Sequence, residues 1–157
     1  HAVAPEVIII TETNVPHGEN ISYFGEGNDE AQMVYNFALP PLLAFSILKS
    51  NTEKLTNWAK ELALPGGGVC FFNFTASHDG IGVRAVNDIL DEKEMSFLVR
   101  TSIGHGGYAS YRAIGDEDES PYELNCSYID LLSHPEEDDN IRVKRMILSQ
   151  EIGRAHV

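Results

Sequence analysis

Basic residues are scarce: 11 Lys and Arg stand against 24 Asp and Glu, giving a formal net charge of −13. A chain this acidic offers no basic surface for nucleic acid or an anionic membrane, so neither is expected as a partner. Cysteine is scarcer still, with Cys70 and Cys126 alone among 157 residues. There is no Cys-x-x-Cys spacing, so neither a metal knuckle nor a dithiol redox motif is suggested. Cys70, inside a Phe-rich run, is expected to be a small buried apolar residue. Long apolar runs are missing too. The longest, residues 37–48, is about 12 residues and carries Pro40 and Pro41, too short to cross a bilayer. The N-terminus has no basic region followed by an apolar stretch, so no secretory signal is read. The Asn-x-Ser/Thr sequons at Asn20, Asn73 and Asn125 then read as chance matches in a cytoplasmic protein, Asn73 lying in a run that looks buried.

What is present suffices for a core. Hydrophobic residues make up 43% of the chain, which argues against disorder and fits one domain of ordinary size. Acidic residues cluster at 116–119 and 136–140 and read as solvated loops, a calcium site being the alternative.

The β-branched run Val7-Ile8-Ile9-Ile10 predicts a buried strand over 7–11, followed by a Gly-, Asn- and Pro-rich loop over 14–28. A second strand is expected at 32–37. Pro40-Pro41 then opens a helix with Leu42, Leu43, Phe45, Ile47 and Leu48 on its apolar face, proline being tolerated in a first turn. A further helix over 52–64 has Thr52 as its N-cap, Leu55, Trp58, Ala59 and Leu62 at helical spacing, and a stop at Pro65-Gly66-Gly67-Gly68. The Phe-rich strand 69–74 follows, then a helix over 91–105 with Met95, Leu98, Val99 and Ser102 on one face. Residues 108–112 and 122–127 pair as a hairpin around the acidic tip. A short helix at Tyr128–Leu132 and a last one over 137–150, with Ile141, Met146, Ile147 and Leu148 partly apolar, complete the pattern. Strands alternating with helices indicate an α/β fold with a parallel sheet. Residues 151–157 break the helix pattern and read as an adapter-like, non-native tail. The abrupt start at His1 reads as a fragment of a longer gene.

Two of the strands run into acidic residues, Thr11-Glu12-Thr13 and Ser77-His78-Asp79-Gly80. A carboxylate at the C-terminal end of a buried parallel strand sits where α/β barrels place their chemistry. Glu12 alone has three readings: a general acid/base, a ligand-orienting carboxylate, or a structural acid paired with a buried cation. The second cluster adds a His and an Asp at a strand end. Neighbours on a strand face opposite ways, so the strand must end and turn there. Glu12, His78 and Asp79 lack a tight metal-ligand motif, and no metal or other cofactor is expected. Consecutive Ser77-His78-Asp79 cannot form a relayed triad. Glycoside chemistry fits better. It needs one carboxyl to protonate the leaving oxygen and one carboxylate to attack the anomeric carbon, roughly 5 Å apart in retaining enzymes.

The stretches VIIITETNVPHGENISYFG, QMVYNFALPPLL, FFNFTASHDGIGVR and SPYELNCSYIDLLS resemble the sucrose phosphorylase group of the α-amylase superfamily, glycoside hydrolase family 13. The resemblance covers nearly all of residues 4–150. The Thr-Glu-Thr-Asn form of the first motif is most similar to the glucosylglycerate phosphorylase branch. The resemblance implies a partial (β/α)8 TIM barrel, roughly strands five to seven with their helices, over residues 1–150. It implies Glu12 as general acid/base and Asp79 as the carboxylate that holds sugar hydroxyls and stabilises the transition state. His78 is similar to a histidine that hydrogen-bonds the same glucose. Tyr122, Pro121 and Glu123 resemble a mobile loop that helps phosphate and acceptor bind. The nucleophilic Asp of the family belongs to a fourth strand upstream of His1.

The activity so implied is a retaining double displacement. Glu12 protonates the leaving acceptor while the nucleophilic Asp attacks. Inorganic phosphate then attacks the glucosyl-enzyme and releases α-glucose 1-phosphate. The partners are thus a sugar substrate and inorganic phosphate. Arg84 is the basic residue nearest a site motif, either a phosphate ligand or a surface or helix-capping Arg. Two other functions stand beside this one: an α-glucosidase or transglycosidase of the same superfamily, and a non-catalytic carbohydrate-binding scaffold. The 157-residue chain by itself is expected to be inactive.

Overall fold

A computed structural model describes residues 4, 6–27, 29–114 and 118–153. Strands β1 (Ile10–Thr11), β2 (Met33–Tyr35) and β3 (Cys70–Phe72) form a parallel sheet in the order β1-β2-β3. Parallel neighbours need crossover connections. Helix α1 (His17–Ser22) crosses between β1 and β2, while α2 (Leu39–Lys49) and α3 (Glu53–Glu61) cross between β2 and β3. The expected alternation of strand and helix thus yields the expected parallel sheet.

The sheet departs from expectation at its edges. Val7, Ile8, Ile9 and Ile10 are exposed rather than buried, Ile8 to 62%. Cys70 is likewise exposed. Among the described residues only central β2 has a strand on both sides, and its Val34 is fully buried against Phe24, Ala31 and Val69. β1 and β3 are the edges of the sheet within this segment, so an apolar run there gains a ladder on one side only. The 14–28 stretch, expected to be a loop, contains α1 (Asn28 lies outside the described residues). Tertiary bonds outweigh its poor helix composition. Buried Asn20 donates from Nδ2 to the Tyr35 carbonyl at 2.8 Å and accepts from the Thr13 hydroxyl at 3.2 Å.

Helix α2 is the hub. Pro40 and Pro41 sit in its first turn, as expected, and residues Leu39 to Ser46 are all buried. It touches α3 and four later elements: β4 (Ile81–Gly82), α4 (Glu92–Gly104), α5 (Tyr128–Leu132) and α6 (Asp139–Gly153). Burying each large apolar side chain contributes about 1.5–3 kcal/mol. The Tyr128 hydroxyl donates to the Pro40 carbonyl at 2.8 Å inside this core. Its burial pushes the phenol far above its usual pKa.

Helix α4 begins with a full capping box. The Asp91 side chain accepts from the Lys93 and Glu94 amides, and Glu94 accepts from the Asp91 amide. The Glu94 amide bond is the main cause that holds Asp91 below the usual carboxylate pKa. Met95, Leu98, Val99 and Ser102 are the buried face, as the spacing predicts. At α3, Thr52 occupies the N-cap position without a side-chain bond, and Asn51 accepts from the Glu53 amide instead.

A second, antiparallel sheet has the order β4-β6-β5, with β5 (Tyr108–Ile114) and β6 (Asp118–Asn125) forming the expected hairpin. Asp116 and Glu117 of the acidic tip lie outside the described residues. In the other acidic cluster, Glu137 binds Arg145 at 2.6 Å, which holds its carboxyl below the usual range. Helix α6 continues past Gln150 to Gly153. Gly153 packs on Thr75, and Ile152 lies beside Leu39 and Trp58. The expected helix break at 151 is therefore absent, because these residues have a packed surface to cover; residues 154–157 lie outside the described ones. No described helix is long and apolar enough to cross a membrane.

One titration is built into the crossover. His17 stands edge-on to Trp58 and stacked on Phe71, with ring centroids 5.8 and 6.3 Å away. Burial lowers its pKa from 6.5. The unfolded chain therefore takes up this proton more readily than the folded one, and stability falls as pH drops through the unfolded value. The drop in Tm between about pH 7.5 and about pH 5.5 should be smaller in His17→Phe, which keeps the ring, than in the unsubstituted chain. An equal drop in both contradicts this.

Candidate active site

Glu12 follows β1 directly, at the C-terminal edge of the parallel sheet. The chain leaving β3 at that same edge passes through Asn73 and Phe74 to Ser77, His78 and Asp79. One donor or acceptor atom each from Glu12, His78 and Asp79 lies within 4.8 Å of the other two, and all three residues are exposed. His78 Nε2 stands 3.5 Å from Asp79 Oδ2. The two strand-end motifs, far apart in sequence, thus build one site.

Ser77 supplies the turn that this convergence requires. Its hydroxyl accepts from the Asp79 amide at 3.2 Å, a local bond that ends the extended chain. His78 and Asp79 can then face one place, which strand alternation would forbid. An imidazole close to two carboxylates presents both donors and acceptors, the set that neighbouring sugar hydroxyls require. Among the described residues, these three also form the only group whose atoms converge closely enough to chelate a cation.

Aromatic rings and amides support the site from below. Tyr35 stacks on Phe72 with centroids 4.6 Å apart, and Phe37 and Phe74 complete the cluster. Asn36, fully buried just past β2, donates from Nδ2 to Asn73 Oδ1 at 2.9 Å. A cavity of about 410 Å³ opens beside His78 and Asp79, walled in part by Phe74, Cys126, Tyr128 and Met146. Burial raises the Cys126 thiol above its usual pKa, so it is a poor nucleophile there.

Pro121, Tyr122 and Glu123 lie in strand β6, the expected hairpin arm, and not in the loop that the resemblance implied. A register shift at Ser110/Tyr111 lets the ladder run past Pro121, a residue that sheets accept at bulges. Tyr122 carries the Arg112 guanidinium over its ring at 3.9 Å. The Tyr122 carbonyl accepts from Asn14 Nδ2 at 2.9 Å and from the Val83 amide at 3.1 Å. Glu123 accepts from Asn125 at 2.8 Å, and its side chain lies where a Cβ on Gly80 would project. It is thereby packed against the residue that follows Asp79. Arg84 sits half-buried in a 3₁₀ turn, Arg84–Val86, and its side chain has no polar partner among the described residues.

Sequence reasoning places Gly80 only as the last residue of its motif, and it misses Asn14 and Gly82. Their contacts are long-range, and the only signal was an Asn two places beyond Glu12. A Cβ on Gly80 would lie 2.8 Å from the Leu124 carbonyl oxygen and 2.7 Å from Glu123 Cγ. Gly80→Ala should therefore cost about 1–3 kcal/mol of stability through overpacking at the turn that carries Asp79, measured by chemical denaturation. An unchanged midpoint would show that the β4–β6 pair yields without cost.

The chain is 47% identical over 150 residues to a glucosylglycerate phosphorylase of Escherichia coli (strain K12), a match that covers 96% of this chain and 27% of that protein. Identity to the glucosylglycerate phosphorylase of Allomeiothermus silvanus is 45% over 153 residues, with the same coverage of 96% and 27%. A sucrose phosphorylase of Streptococcus mutans serotype c is 27% identical over 121 residues, covering 76% of this chain and 24% of that one. The crystal structure of sucrose 6F-phosphate phosphorylase from Thermoanaerobacter thermosaccharolyticum matches with a TM-score of 0.72 over 97% of this chain and 28% of its own, at 18% identity. No protein-family model matches the chain. Over almost its whole length the chain is thus a homologue of glucosylglycerate phosphorylases, spans about a quarter of theirs, and shares the mixed α/β fold of part of a sucrose 6F-phosphate phosphorylase.

Proposed function

We propose that this chain is the acid/base and stabilising part of a retaining glycoside phosphorylase. On this reading, residues 1–150 are strands five to seven of a (β/α)8 barrel with their helices, and the attacking carboxylate comes from a part of the longer protein outside them. The observation that carries the proposal is the convergence of Glu12, His78 and Asp79 within 4.8 Å at one edge of a parallel sheet. The homology to glucosylglycerate phosphorylases supports the substrate class.

In the first step the carboxylate from outside the segment attacks the anomeric carbon. The bond to the leaving oxygen breaks, and Glu12 gives its proton to that oxygen. Asp79 accepts hydrogen bonds from sugar hydroxyls and stabilises the positive charge that develops on the ring. His78, 3.5 Å from Asp79, donates to the same sugar. In the second step a phosphate oxygen attacks the glucosyl-enzyme. Glu12, now a carboxylate, takes the proton of the incoming phosphate hydroxyl, and the nucleophile is released. The products are α-glucose 1-phosphate and the free acceptor, glycerate or a related alcohol.

Arg84 is the candidate phosphate ligand, because its guanidinium lacks a polar partner among the described residues. Tyr122, Pro121 and Glu123 bear on phosphate and acceptor through the β6 strand, and Arg112 over Tyr122 brings a second cation to that strand.

General acid–base groups contribute about 10²–10⁴-fold. In the full-length protein, Glu12→Gln should lower kcat for phosphorolysis by that range while leaving the fold intact by circular dichroism. Retention of more than about a tenth of wild-type kcat would remove Glu12 from the acid/base role.

A further inference from the structure

Glu12 directly follows β1, whose ladder to β2 is two residues long. Past Thr11 the chain has no regular structure until α1. Two side-chain bonds pin this segment: the Thr13 hydroxyl to Asn20, and Asn14 Nδ2 to the Tyr122 carbonyl. The second reaches 108 residues along the chain.

Asn14 is seated closely. A Cβ on Gly82 would fall 2.7 Å from Asn14 Cγ and 2.8 Å from its Nδ2, closer than real contacts allow. Glycine at 82 therefore opens the space that the Asn14 amide fills. Gly82 itself pairs with Glu123 across the β4–β6 ladder, and Val83 donates to the carbonyl that Asn14 uses. Asp79 stands two residues before β4. One strand, β6, thus fixes the Asp79 turn through β4 and the Glu12 segment through Asn14.

We infer that Asn14 is a positioning residue that holds Glu12 at its working distance from Asp79 by tying the Glu12 segment to the β4–β6 pair. It touches no reacting atom and acts through the placement of Glu12. The inference rests on the reading of Glu12 as general acid. A misplacement of 1 Å costs about 10²-fold in rate.

A pair of donors tests it in the full-length protein. An α-glucoside with a glycerate leaving group needs its oxygen protonated, whereas α-glucosyl fluoride releases fluoride with little acid assistance. Asn14→Ala should lose about 10- to 100-fold in donor kcat/KM, which reports only formation of the glucosyl-enzyme and not the later attack by phosphate, on the glycerate donor and under about 3-fold on the fluoride. The ratio of the two rates in one preparation cancels the amount of folded enzyme. Gly82→Ala, which displaces the Asn14 amide, should shift the ratio the same way. The double variant should be no worse than Asn14→Ala alone, because the added methyl enters vacated space. Equal losses on both donors, or additive losses in the double variant, would overturn the inference while leaving the phosphorylase reading in place. A wild-type enzyme with no phosphate-dependent turnover would overturn that reading and this inference with it.

Discussion

One backbone carbonyl, that of Tyr122, joins the two halves of the molecule. It accepts the Val83 amide from just past β4 and the Asn14 side-chain amide from the segment that leaves the C-terminal edge of the parallel sheet. The parallel sheet brings Glu12 near Asp79. Strand β6 is bonded to both chain segments, to the Glu12 segment through Asn14 and to the Asp79 turn through β4. The glycines at 80 and 82 follow from the same arrangement: each lets a side chain from a neighbouring segment come closer than a Cβ would permit.

Behind this edge, α2 gives the site its rigid support. Its first eight residues are buried, and it contacts β4 as well as α3 to α6. The Tyr128–Pro40 bond ties α5 to its first turn, and Tyr128 is also a wall of the cavity beside Asp79. Arg142 to Asp130 at 2.6 Å and Arg145 to Glu137 at 2.6 Å then clamp α6 to α5 and the turn that follows. A charged clamp of this kind is partly exposed and adds modestly to stability, whereas the apolar faces it aligns contribute most.

Local physics was legible in the sequence. The α4 face of Met95, Leu98, Val99 and Ser102 follows from spacing, and the α2 start follows from Pro40-Pro41. The hairpin was read from two runs, 108–112 and 122–127, on either side of the acidic tip. Glu12 and Asp79 were visible because each ends an apolar run, and His78 because it adjoins Asp79. Non-local effects were not legible. Exposure of Ile8 and Cys70 depends on which strands become edges, and no local pattern encodes that. Helix α1 forms in Gly- and Asn-rich sequence because Asn20 finds Tyr35 and Thr13. Residues 151–153 looked foreign to the helix, yet Gly153 fits against Thr75. Asn14 and Gly82 meet only after the chain has folded, so neither position signals the contact alone.

The central claim is that this site passes a glucosyl group to inorganic phosphate. The most direct measurement is product analysis by phosphorus NMR on the full-length protein, given a glucosylglycerate-type donor with and without inorganic phosphate. The account predicts α-glucose 1-phosphate with phosphate present and little donor breakdown without it. Release of free glucose at the same rate in the absence of phosphate would contradict it.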